Sequence, residues 1–420
     1  MLSADQQFAY NCIKEGKNLF ITSRAGCGKS YLINYIKNHF PGNIIVCGST
    51  GIAACNVGGR TLHSQFMIPP NIDNFDINAL KRNRQQAIKR AKLLIIDEIS
   101  MVSAKILNLV SEICCTVREC AEPFGGIQVL FFGDYLQLPP VDIQDGVSLC
   151  CDIWQKSNIY SVLLTTNHRQ SEDKVFYDIL TDMRYNRLTV EDCLQLSKRF
   201  TKDPPEKCIR LFGTNAQVDS YNDSKYSALD EQTEHIYEME CFGDFSLINA
   251  YLKNSLLEEV LKLRVGARVM SLVNGLADED SLYNGSLGTV ESFTKDGLPI
   301  IKFDNGIKTV VQQRSFVITE RVITEDEEGK EVVDIKTLME IIQVPLKLAW
   351  GITIHKSQGL TFDNVYVDCS RIFAPGQIYV AFSRCRSLQG LYLNAFNPRT
   401  AFCDSSVVAW YLQLESAYSR

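Results

Sequence analysis

A glycine-rich segment, SRAGCGKS (residues 23–30), carries the residue types that bind phosphate. It lies between an apolar run, NLFIT, and a run of helical pattern, KSYLINYIKNHF. A turn that opens a helix presents backbone N–H groups to an anion, while a lysine meets the β- and γ-phosphates and a hydroxyl holds Mg²⁺. Lys29 and Ser30 are predicted to fill these two roles. The competing interpretation is an ordinary strand–turn–helix with a chance G-x-G-K-S. The cradle itself is predicted to consist of Ser23, Arg24, Ala25, Gly26, Cys27 and Gly28.

Two adjacent carboxylates follow a second apolar run, in KLLIIDEIS. Asp97 is predicted to join Ser30 in the Mg²⁺ shell, and Glu98 to polarise the water that attacks a γ-phosphate. Adjacent acids at a strand end are common, so the pair alone is weak. Together with a phosphate loop upstream, it predicts a nucleoside triphosphate hydrolase.

The elements that must position these residues follow an alternating pattern. Apolar runs occur at 19–22, 44–47, 93–96, 129–132 and 162–164, separated by helical segments. This alternation predicts an α/β fold with a parallel sheet, whose functional loops follow the carboxyl ends of the strands. Each run is indeed followed by a polar segment: SRAGCGKS, GSTGIAA, DEIS, GDYLQLPP and TTNHRQ.

The second half of the chain shows the same alternation of strand-like and helical segments less regularly. IRLFGTNAQVDSYN, VYVDCS and GLYLNAF indicate a second α/β domain. Between about 269 and 345, short β-like runs alternate with turn residues, which predicts a small β-barrel-like insertion.

Composition limits the class. The 420 residues are 45% apolar, enough for two or three cores. No apolar run approaches membrane-spanning length and the N-terminus lacks a signal-peptide layout, so a soluble intracellular protein without a membrane partner is expected, whether in a nucleus, a nucleoid or a viral replication site. The fifteen cysteines form no C-x-x-C pair and are interpreted as reduced thiols.

Charge argues against a protein that coats nucleic acid. The net charge is −6, so any nucleic-acid site must be a local groove. The run KRNRQQAIKRAK (81–92) has six basic residues and no acidic one. A solvated helix face and a contact with DNA are both open interpretations of this run.

Four further segments carry a resemblance to a known family. QVLFFGDYLQLPPV, STGIAACNVGGRTLHS, AWGITIHKSQGLTFDNVYVD and GQIYVAFSRCRS together resemble the motor motifs of Pif-type DNA helicases, relatives of RecD within superfamily 1, subgroup B. The resemblance runs in family order from LSADQQ to about Arg386. It implies an ATP-dependent helicase that moves 5′ to 3′ on single-stranded DNA and unwinds duplex, in replication, repair or recombination.

The resemblance also implies an architecture. Two RecA-like parallel-sheet motor domains are expected, with a small wedge insertion and an SH3-like β-barrel insertion. The expected boundaries are 1–165 for domain 1A with the wedge 1B at about 64–91, 166–268 and 346–420 for domain 2A, and 269–345 for insertion 2B.

Further nucleotide contacts are implied position by position. Gln6, with Gln7 as the alternative, matches the glutamine that reads the adenine edge, and Gln137 matches the residue that senses the γ-phosphate and links it to the DNA site. Arg169 and Arg384 match two arginines that reach the γ-phosphate, although a lone arginine such as Arg169 could equally form a surface ion pair. Gln358 and Gly359 are expected near the nucleotide. ATP and Mg²⁺ are the expected cofactors.

The resemblance places single-strand phosphates against hydroxyls, histidines and backbone amides. The implied DNA contacts are Thr50, Gly51, His63, Ser64, Thr353, His355 and Lys356. Either histidine taken alone is more often structural. The expected partners are single-stranded DNA and forked or 5′-tailed duplex, with a monomer in the absence of DNA.

Two departures from the family pattern concern the phosphate loop. Ser23 stands at the usual glycine and Cys27 at a position often held by threonine, which leaves nucleotide affinity and redox sensitivity open. Three other functions are open: a translocase that strips proteins from DNA without separating strands, an RNA helicase, and a binding module with a degenerate nucleotide site.

Overall fold

The computed structural model describes residues 2–24, 27–50, 53–54, 57–69, 72, 75, 77, 80–140, 146–166, 173–273, 275–276, 282, 284–325 and 331–418. The chain divides into two compact units. The first unit comprises Met1–Lys207, Ile354–Gly359 and Asp363–Arg420, and the second comprises Cys208–Thr353 and Leu360–Phe362.

Twenty strands occur among the described residues. They are β1 Leu19–Ser23, β2 Asn43–Gly48, β3 Arg60–Thr61, β4 Ala91–Asp97, β5 Gln128–Gly133, β6 Tyr160–Leu164, β7 Ile209–Phe212, β8 His235–Glu238, β9 Glu240–Gly243, β10 Val260–Leu263, β11 Arg268–Ser271, β12 Leu287–Phe293, β13 Pro299–Phe303, β14 Lys308–Val310, β15 Arg314–Glu325, β16 Glu331–Gln343, β17 Leu346–Leu348, β18 Gly351–Thr353, β19 Val365–Val367 and β20 Leu391–Leu393.

Twelve α-helices occur in the same part of the chain. They are α1 Ala4–Lys14, α2 Lys29–His39, α3 Leu62–Phe66, α4 Arg82–Arg90, α5 Ala104–Arg118, α6 Asp152–Lys156, α7 Lys174–Arg184, α8 Val190–Ser197, α9 Asn215–Ser227, α10 Phe245–Asn254, α11 Gln377–Phe382 and α12 Ser405–Tyr418. No described helix is both long and apolar enough to cross a membrane.

The first unit is built on a six-stranded sheet in the order β3-β2-β4-β5-β1-β6, and all its pairs are parallel. The five apolar runs of the sequence are five of these strands, so the predicted α/β fold with a parallel sheet is confirmed. Because parallel strands share one direction, the segments after β1, β4 and β5 leave the same edge of the sheet. That edge carries the phosphate loop and the acid pair.

Both faces of this sheet are covered. Along β4, Leu93 and Ile95 belong to one buried cluster, while Leu94 and Ile96 belong to the other. Successive side chains of a strand point to opposite faces, so a strand buried on both faces reads as a continuous apolar run. This is why the central strands could be found from the sequence.

Later segments of the chain return to the first unit. Strands β19 and β20 pair in parallel there, and α12 packs with the residues of one sheet face: Val407, Val408 and Tyr411 lie in the same buried cluster as Phe20. A bridge between Phe200 and Leu393 joins β20 to the segment after α8.

The second unit is mostly antiparallel. Strands β14-β13-β12-β11-β17 form a five-stranded sheet, β15-β16-β9 a three-stranded sheet and β10-β8 a pair, while β7 and β18 are parallel neighbours. The sheets fill most of the 269–345 segment for which short strands were predicted. The SH3-like character of this insertion, the wedge and the motor-domain boundaries stay predictions.

Candidate nucleotide and nucleic-acid site

The phosphate loop joins β1 to α2. Gly28 caps α2 with φ 78 and ψ 26, a left-handed conformation that glycine adopts without strain. Lys29 Nζ donates a hydrogen bond to Ser23 Oγ at 2.9 Å, and Ser23 Oγ donates to the carbonyl of Arg24 at 2.9 Å. The predicted phosphate-binding lysine is therefore held by the side chain that replaces the usual glycine. Ala25 and Gly26 lie outside the described residues.

Gln6 lies against the end of this loop. Its Nε2 donates to the carbonyl of Gly28 at 3.3 Å, and its Oε1 accepts from the backbone N–H of Ser3 at 3.1 Å in the capping box of α1. The side chain is 3% exposed. The structure thus brings the predicted adenine reader to the phosphate loop.

Asp5 connects α1 to the segment that follows β6. Its Oδ2 accepts from the backbone N–H groups of Thr165 at 2.8 Å and Thr166 at 3.1 Å. Partial burial raises the pKa of this carboxyl, but hydrogen bonds from Ser3 and these amides outweigh it, so the pKa is lowered overall. Arg169 follows in the same segment but lies outside the described residues.

Asp97 and Glu98 stand where β4 ends. Asp97 Oδ1 accepts from the backbone N–H of Glu98 at 2.9 Å. The backbone of Glu98 has φ 52 and ψ 47, a left-handed conformation that is uncommon for a residue with a side chain. Its Oε2 is buried without a hydrogen-bond partner in the described part of the chain.

The pKa shifts of Asp97 and Glu98 show which charged groups lie close to this pair. Burial, and then the neighbouring Glu98, raise the pKa of Asp97 to about 7. Burial also raises the pKa of Glu98, while the charges of Lys29 and Arg384 act in the opposite direction. The structure therefore brings Lys29, Glu98 and Arg384, predicted from three distant motifs, within interaction range.

The residues fit a hydrated divalent cation. Ser30 and Asp97 could supply two oxygen ligands, the kind that Mg²⁺ takes together with waters and substrate phosphate oxygens. A cation would also relieve the cost of two buried carboxylates, one of which has an unpartnered oxygen. The described residues hold no cluster of three or more His, Cys, Asp or Glu that could enclose a metal without such help.

Arg384 follows α11 and is fixed by its own surroundings. Its Nε donates to the carbonyl of Val380 at 2.9 Å, Nη2 to Ser383 Oγ at 2.8 Å and Nη1 to the carbonyl of Ser357 at 3.4 Å. Burial lowers the pKa of this guanidinium to about 10, and it stays a cation near neutral pH. The contact with Ser357 brings it beside Gln358, whose Nε2 is buried without a partner among the described residues.

Gln137 lies in the Asp134 loop, which we define as residues 134–140. Its Nε2 donates to Asp134 Oδ2 at 3.2 Å. Gly376, just before α11, packs on this loop so closely that a Cβ there would lie 2.5 Å from the carbonyl oxygen of Gln137. Only glycine fits at that contact.

Three residues of this region, Asp134, Arg184 and Tyr411, were not selected from the sequence. Asp134 is fully buried and forms an ion pair with Arg184, which donates to Asp134 Oδ2. Burial lowers the pKa of Arg184, but the charge of Asp134 and three neighbouring tyrosines together outweigh burial, so the pKa is raised overall. Tyr411, the third, lies on α12. Arg24 was predicted as part of the cradle, and its Nη1 also donates to Tyr177 and to Thr181.

A sequence signal exists for only one of these three residues. Asp134 stands inside the GDYLQLPP segment, beside the glutamine that was selected. Arg184 and Tyr411 belong to helices of ordinary pattern, and their contacts span 50 or more residues. No local pattern predicts them.

The predicted DNA contacts are spread over both units. Thr50 Oγ1 accepts from the N–H of Ala53 at 3.2 Å, and His63 and Ser64 belong to α3, capped by Thr61. His355 and Lys356 form a short 3₁₀ helix in the first unit, and Thr353 ends β18 in the second. Burial lowers the pKa of both histidines, so both are neutral near pH 7. Gly51 lies outside the described residues.

None of the described cysteines is in a disulfide. Cys27 is 3% exposed, and burial raises the pKa of its thiol. A protonated, buried thiol is a poor nucleophile, which argues against redox sensitivity at this position.

Comparison with known proteins identifies relatives of this chain. The model of the PIF1-like helicase family matches residues 1–187. The chain is 35% identical to the ATP-dependent DNA helicase Pif1 of Bdellovibrio bacteriovorus over 99% of its own length and 92% of that protein. It is also 35% identical to the ATP-dependent DNA helicase PIF1 of Danio rerio, over 98% of its length, and spans 64% of that longer protein.

Solved structures give the same result. The crystal structure of Bacteroides Pif1 in complex with ADP-AlF4 superposes with a TM-score of 0.86 at 33% identity, covering 99% of this chain and 98% of that one. Bacteroides Pif1 bound to single-stranded DNA matches with a TM-score of 0.68 at 33% identity, over 99% and 98% of the two chains. The chain therefore belongs to the PIF1-like helicase family.

Proposed function

We propose that the protein is an ATP-dependent DNA helicase that moves 5′ to 3′ on single-stranded DNA and separates duplex ahead of it. The observation that carries the proposal is a buried pair of carboxylates, Asp97 and Glu98, facing the cations Lys29 and Arg384. Membership in the family supports ATP as the nucleotide that is hydrolysed and DNA as the nucleic acid along which the protein moves.

Each charged group has a part in hydrolysis. Lys29 leaves Ser23 Oγ and meets the β- and γ-phosphates, and Arg384 meets charge that develops on the transferring phosphoryl group. Arg169 is proposed as a second arginine there. Glu98 accepts a hydrogen bond from the attacking water with the Oε2 atom that has no partner among the described residues.

The remaining nucleotide contacts orient the substrate. Gln6 reads the adenine edge, the phosphate loop holds the phosphates through its backbone N–H groups, and Gln137 senses the γ-phosphate. Gln358 and Gly359 lie near the nucleotide. Ser30 and Asp97 would hold Mg²⁺, which would supply positive charge that offsets the charge of the phosphates.

DNA is proposed to lie against Thr50, Gly51, His63, Ser64, Thr353, His355 and Lys356. Such contacts grip the sugar–phosphate backbone without reading base sequence. Movement requires that ATP binding and hydrolysis change the affinity of the two predicted motor domains for the strand, since a ligand shifts only states that it binds differently. A monomer acting on 5′-tailed or forked duplex is the proposed working form.

An unwinding assay tests the proposal. DNA and RNA duplexes with a 5′ tail, a 3′ tail or blunt ends are incubated with enzyme, Mg²⁺ and ATP, and strand separation is followed together with phosphate release. We expect ATP-dependent separation of the 5′-tailed DNA, and loss of hydrolysis in Lys29→Ala and Glu98→Gln. Glu119→Gln is a matched control, because Glu119 also has a left-handed backbone (φ 54) but ends α5 outside the site.

The outcomes separate the alternatives. Unwinding only from a 3′ tail would overturn the direction. Phosphate release stimulated by single-stranded DNA without strand separation would indicate a translocase or protein remodeller, and unwinding confined to RNA an RNA helicase. DNA binding without any hydrolysis would indicate a binding module and contradict the assigned roles of Glu98 and Lys29.

A further inference from the structure

Helix α12 is fixed in the core of the first unit. Asp404 Oδ1 caps its start by accepting from the N–H groups of Ser406 at 2.9 Å and Val407 at 3.2 Å. Trp410 packs on Phe20 of β1 with ring centroids 6.0 Å apart. The polar side chains that follow Trp410 on α12 therefore lie at the sheet edge that carries the proposed ATP site.

The hydroxyl of Tyr411 joins two strand ends of that edge. It lies 2.7 Å from Thr22 Oγ1, one residue before the phosphate loop, and accepts from the backbone N–H of Tyr135 at 3.1 Å. Tyr411 is fully buried. Because the hydroxyl has a single proton and accepts from Tyr135, its proton is available for Thr22. The bond pattern ties β1 to the Asp134 loop.

A second contact lies one helical turn further on. Glu415 accepts from the hydroxyl of Tyr185, and its Oε1 lies 3.6 Å from Arg24 Nη2. Arg24 itself donates to Thr181 Oγ1 at 3.0 Å and to Tyr177. Residues four apart lie on one face of a helix, so Tyr411 and Glu415 act on the same edge of the sheet.

The loop held by Tyr411 carries a charge that the site feels. Asp134 is one of the groups that raise the pKa of Glu98, so its carboxylate is within interaction range of the acid pair. Arg184 compensates that charge, and its guanidinium carbon lies 4.9 Å from the ring centroid of Tyr411. A shift of the Asp134 loop would move both charges relative to Glu98.

We propose that Tyr411 is a positioning residue for ATP hydrolysis: its hydroxyl fixes the Asp134 loop relative to the phosphate loop, and α12 thereby sets the geometry of the ATP site. The proposal rests on the proposed function, since it assigns Tyr411 to the alignment of groups that hydrolyse ATP. A side chain that acts through alignment affects the transition state more than the binding of ATP.

The test is steady-state ATP hydrolysis with saturating oligo(dT). Tyr411→Phe removes one oxygen atom and leaves two buried groups without their partner. We expect kcat to fall about tenfold while KM for ATP changes less than about twofold. Tyr237→Phe is the matched control, because the hydroxyl of this tyrosine in the second unit also bonds to a backbone group, donating to the carbonyl of Gly297 at 2.6 Å. It should leave both constants unchanged.

A double-mutant cycle tests the contact itself. Thr22→Val removes the other hydroxyl, and if the Tyr411–Thr22 bond carries the effect, the double variant Tyr411→Phe with Thr22→Val loses no more kcat than the larger single effect. Fully multiplicative losses would contradict the assigned contact. A purely structural role would lower the unfolding midpoint of Tyr411→Phe while kcat and KM stay at wild-type values, and this result would overturn the proposal.

Glu415→Gln keeps the proposal testable if Tyr411→Phe does not fold. The variant leaves an acceptor for Tyr185 but removes the charge beside Arg24. Because this ion pair is partly exposed and screened by water, we expect only a twofold to threefold loss of kcat. An unchanged kcat would count against α12 as a positioning element. Failure of the wild-type protein to hydrolyse ATP would instead overturn the proposed function, so the two failures are distinguishable.

Discussion

Ser23 offers a direct measurement of how the phosphate loop is tuned. In the structure its hydroxyl accepts a hydrogen bond from Lys29 Nζ at 2.9 Å. We expect Lys29 to give up this bond when its ammonium group turns toward the phosphates of ATP. The bond therefore stabilises the ATP-free protein and weakens the apparent affinity for ATP.

The size of the effect follows from the bond. A hydrogen bond to a charged group contributes about 1.5–3 kcal/mol, and because Lys29 is only half-buried the lower limit applies. About 1.5 kcal/mol corresponds to roughly a tenfold change in a dissociation constant. Ser23→Ala should accordingly bind ATP up to about tenfold more tightly. Alanine is preferred to glycine because it removes the hydroxyl without adding backbone freedom.

The assay is equilibrium binding of a fluorescent ATP analogue with Mg²⁺ and without DNA. Ser111→Ala is the control, since Ser111 is also buried but bonds to the N–H of Phe124 outside the site. Weaker binding by Ser23→Ala would refute the reasoning. So would an equal effect of Ser23→Ala in a Lys29→Ala background, where the bond no longer exists.

Three other outcomes are expected. Asp5→Asn removes a charge that two backbone amides after β6 share, and KM for ATP should rise about threefold with little change in kcat, measured by steady-state hydrolysis. Cys27, whose buried thiol has a raised pKa, should react with iodoacetamide more slowly than the half-buried Cys120 in peptide mapping by mass spectrometry, and equal rates would contradict its burial. Because burial lowers the pKa of His63 and His355, the affinity for single-stranded DNA in fluorescence anisotropy should be flat between about pH 7 and 8 and rise only below the ordinary histidine range. A rise between pH 8 and 7 would show that a histidine gains charge there.

The sequence alone predicted those parts of the site whose residues lie close together in the chain. The phosphate loop needs a strand, a turn and a helix in direct succession, and the acid pair needs only the end of one strand, so both leave a pattern in a short segment. The five apolar runs were readable because the central strands are buried on both faces. Arg384 required the family resemblance, since a lone arginine carries no signal.

Long-range contacts were not readable in the same way. Arg184 and Asp134 form a buried ion pair 50 positions apart, and Tyr411 bonds to Thr22 across 389 positions. Such pairs depend on how helices pack on the sheet, which periodicity does not specify. The role of Ser23, which stands where the family usually has glycine, could not be predicted either, because its hydrogen bond with Lys29 forms only in the folded chain.

The left-handed backbone of Glu98 implies that folding stability and ATP turnover favour different residues at this position. This conformation lowers the free energy of unfolding by about 1–2 kcal/mol for a residue with a Cβ, and burial of a carboxylate oxygen that has no partner among the described residues lowers it further. Glycine would adopt the same φ and ψ without the steric cost, yet it cannot polarise water. Selection for thermal stability alone would thus drive this position toward glycine, and only selection for ATP turnover would restore the glutamate.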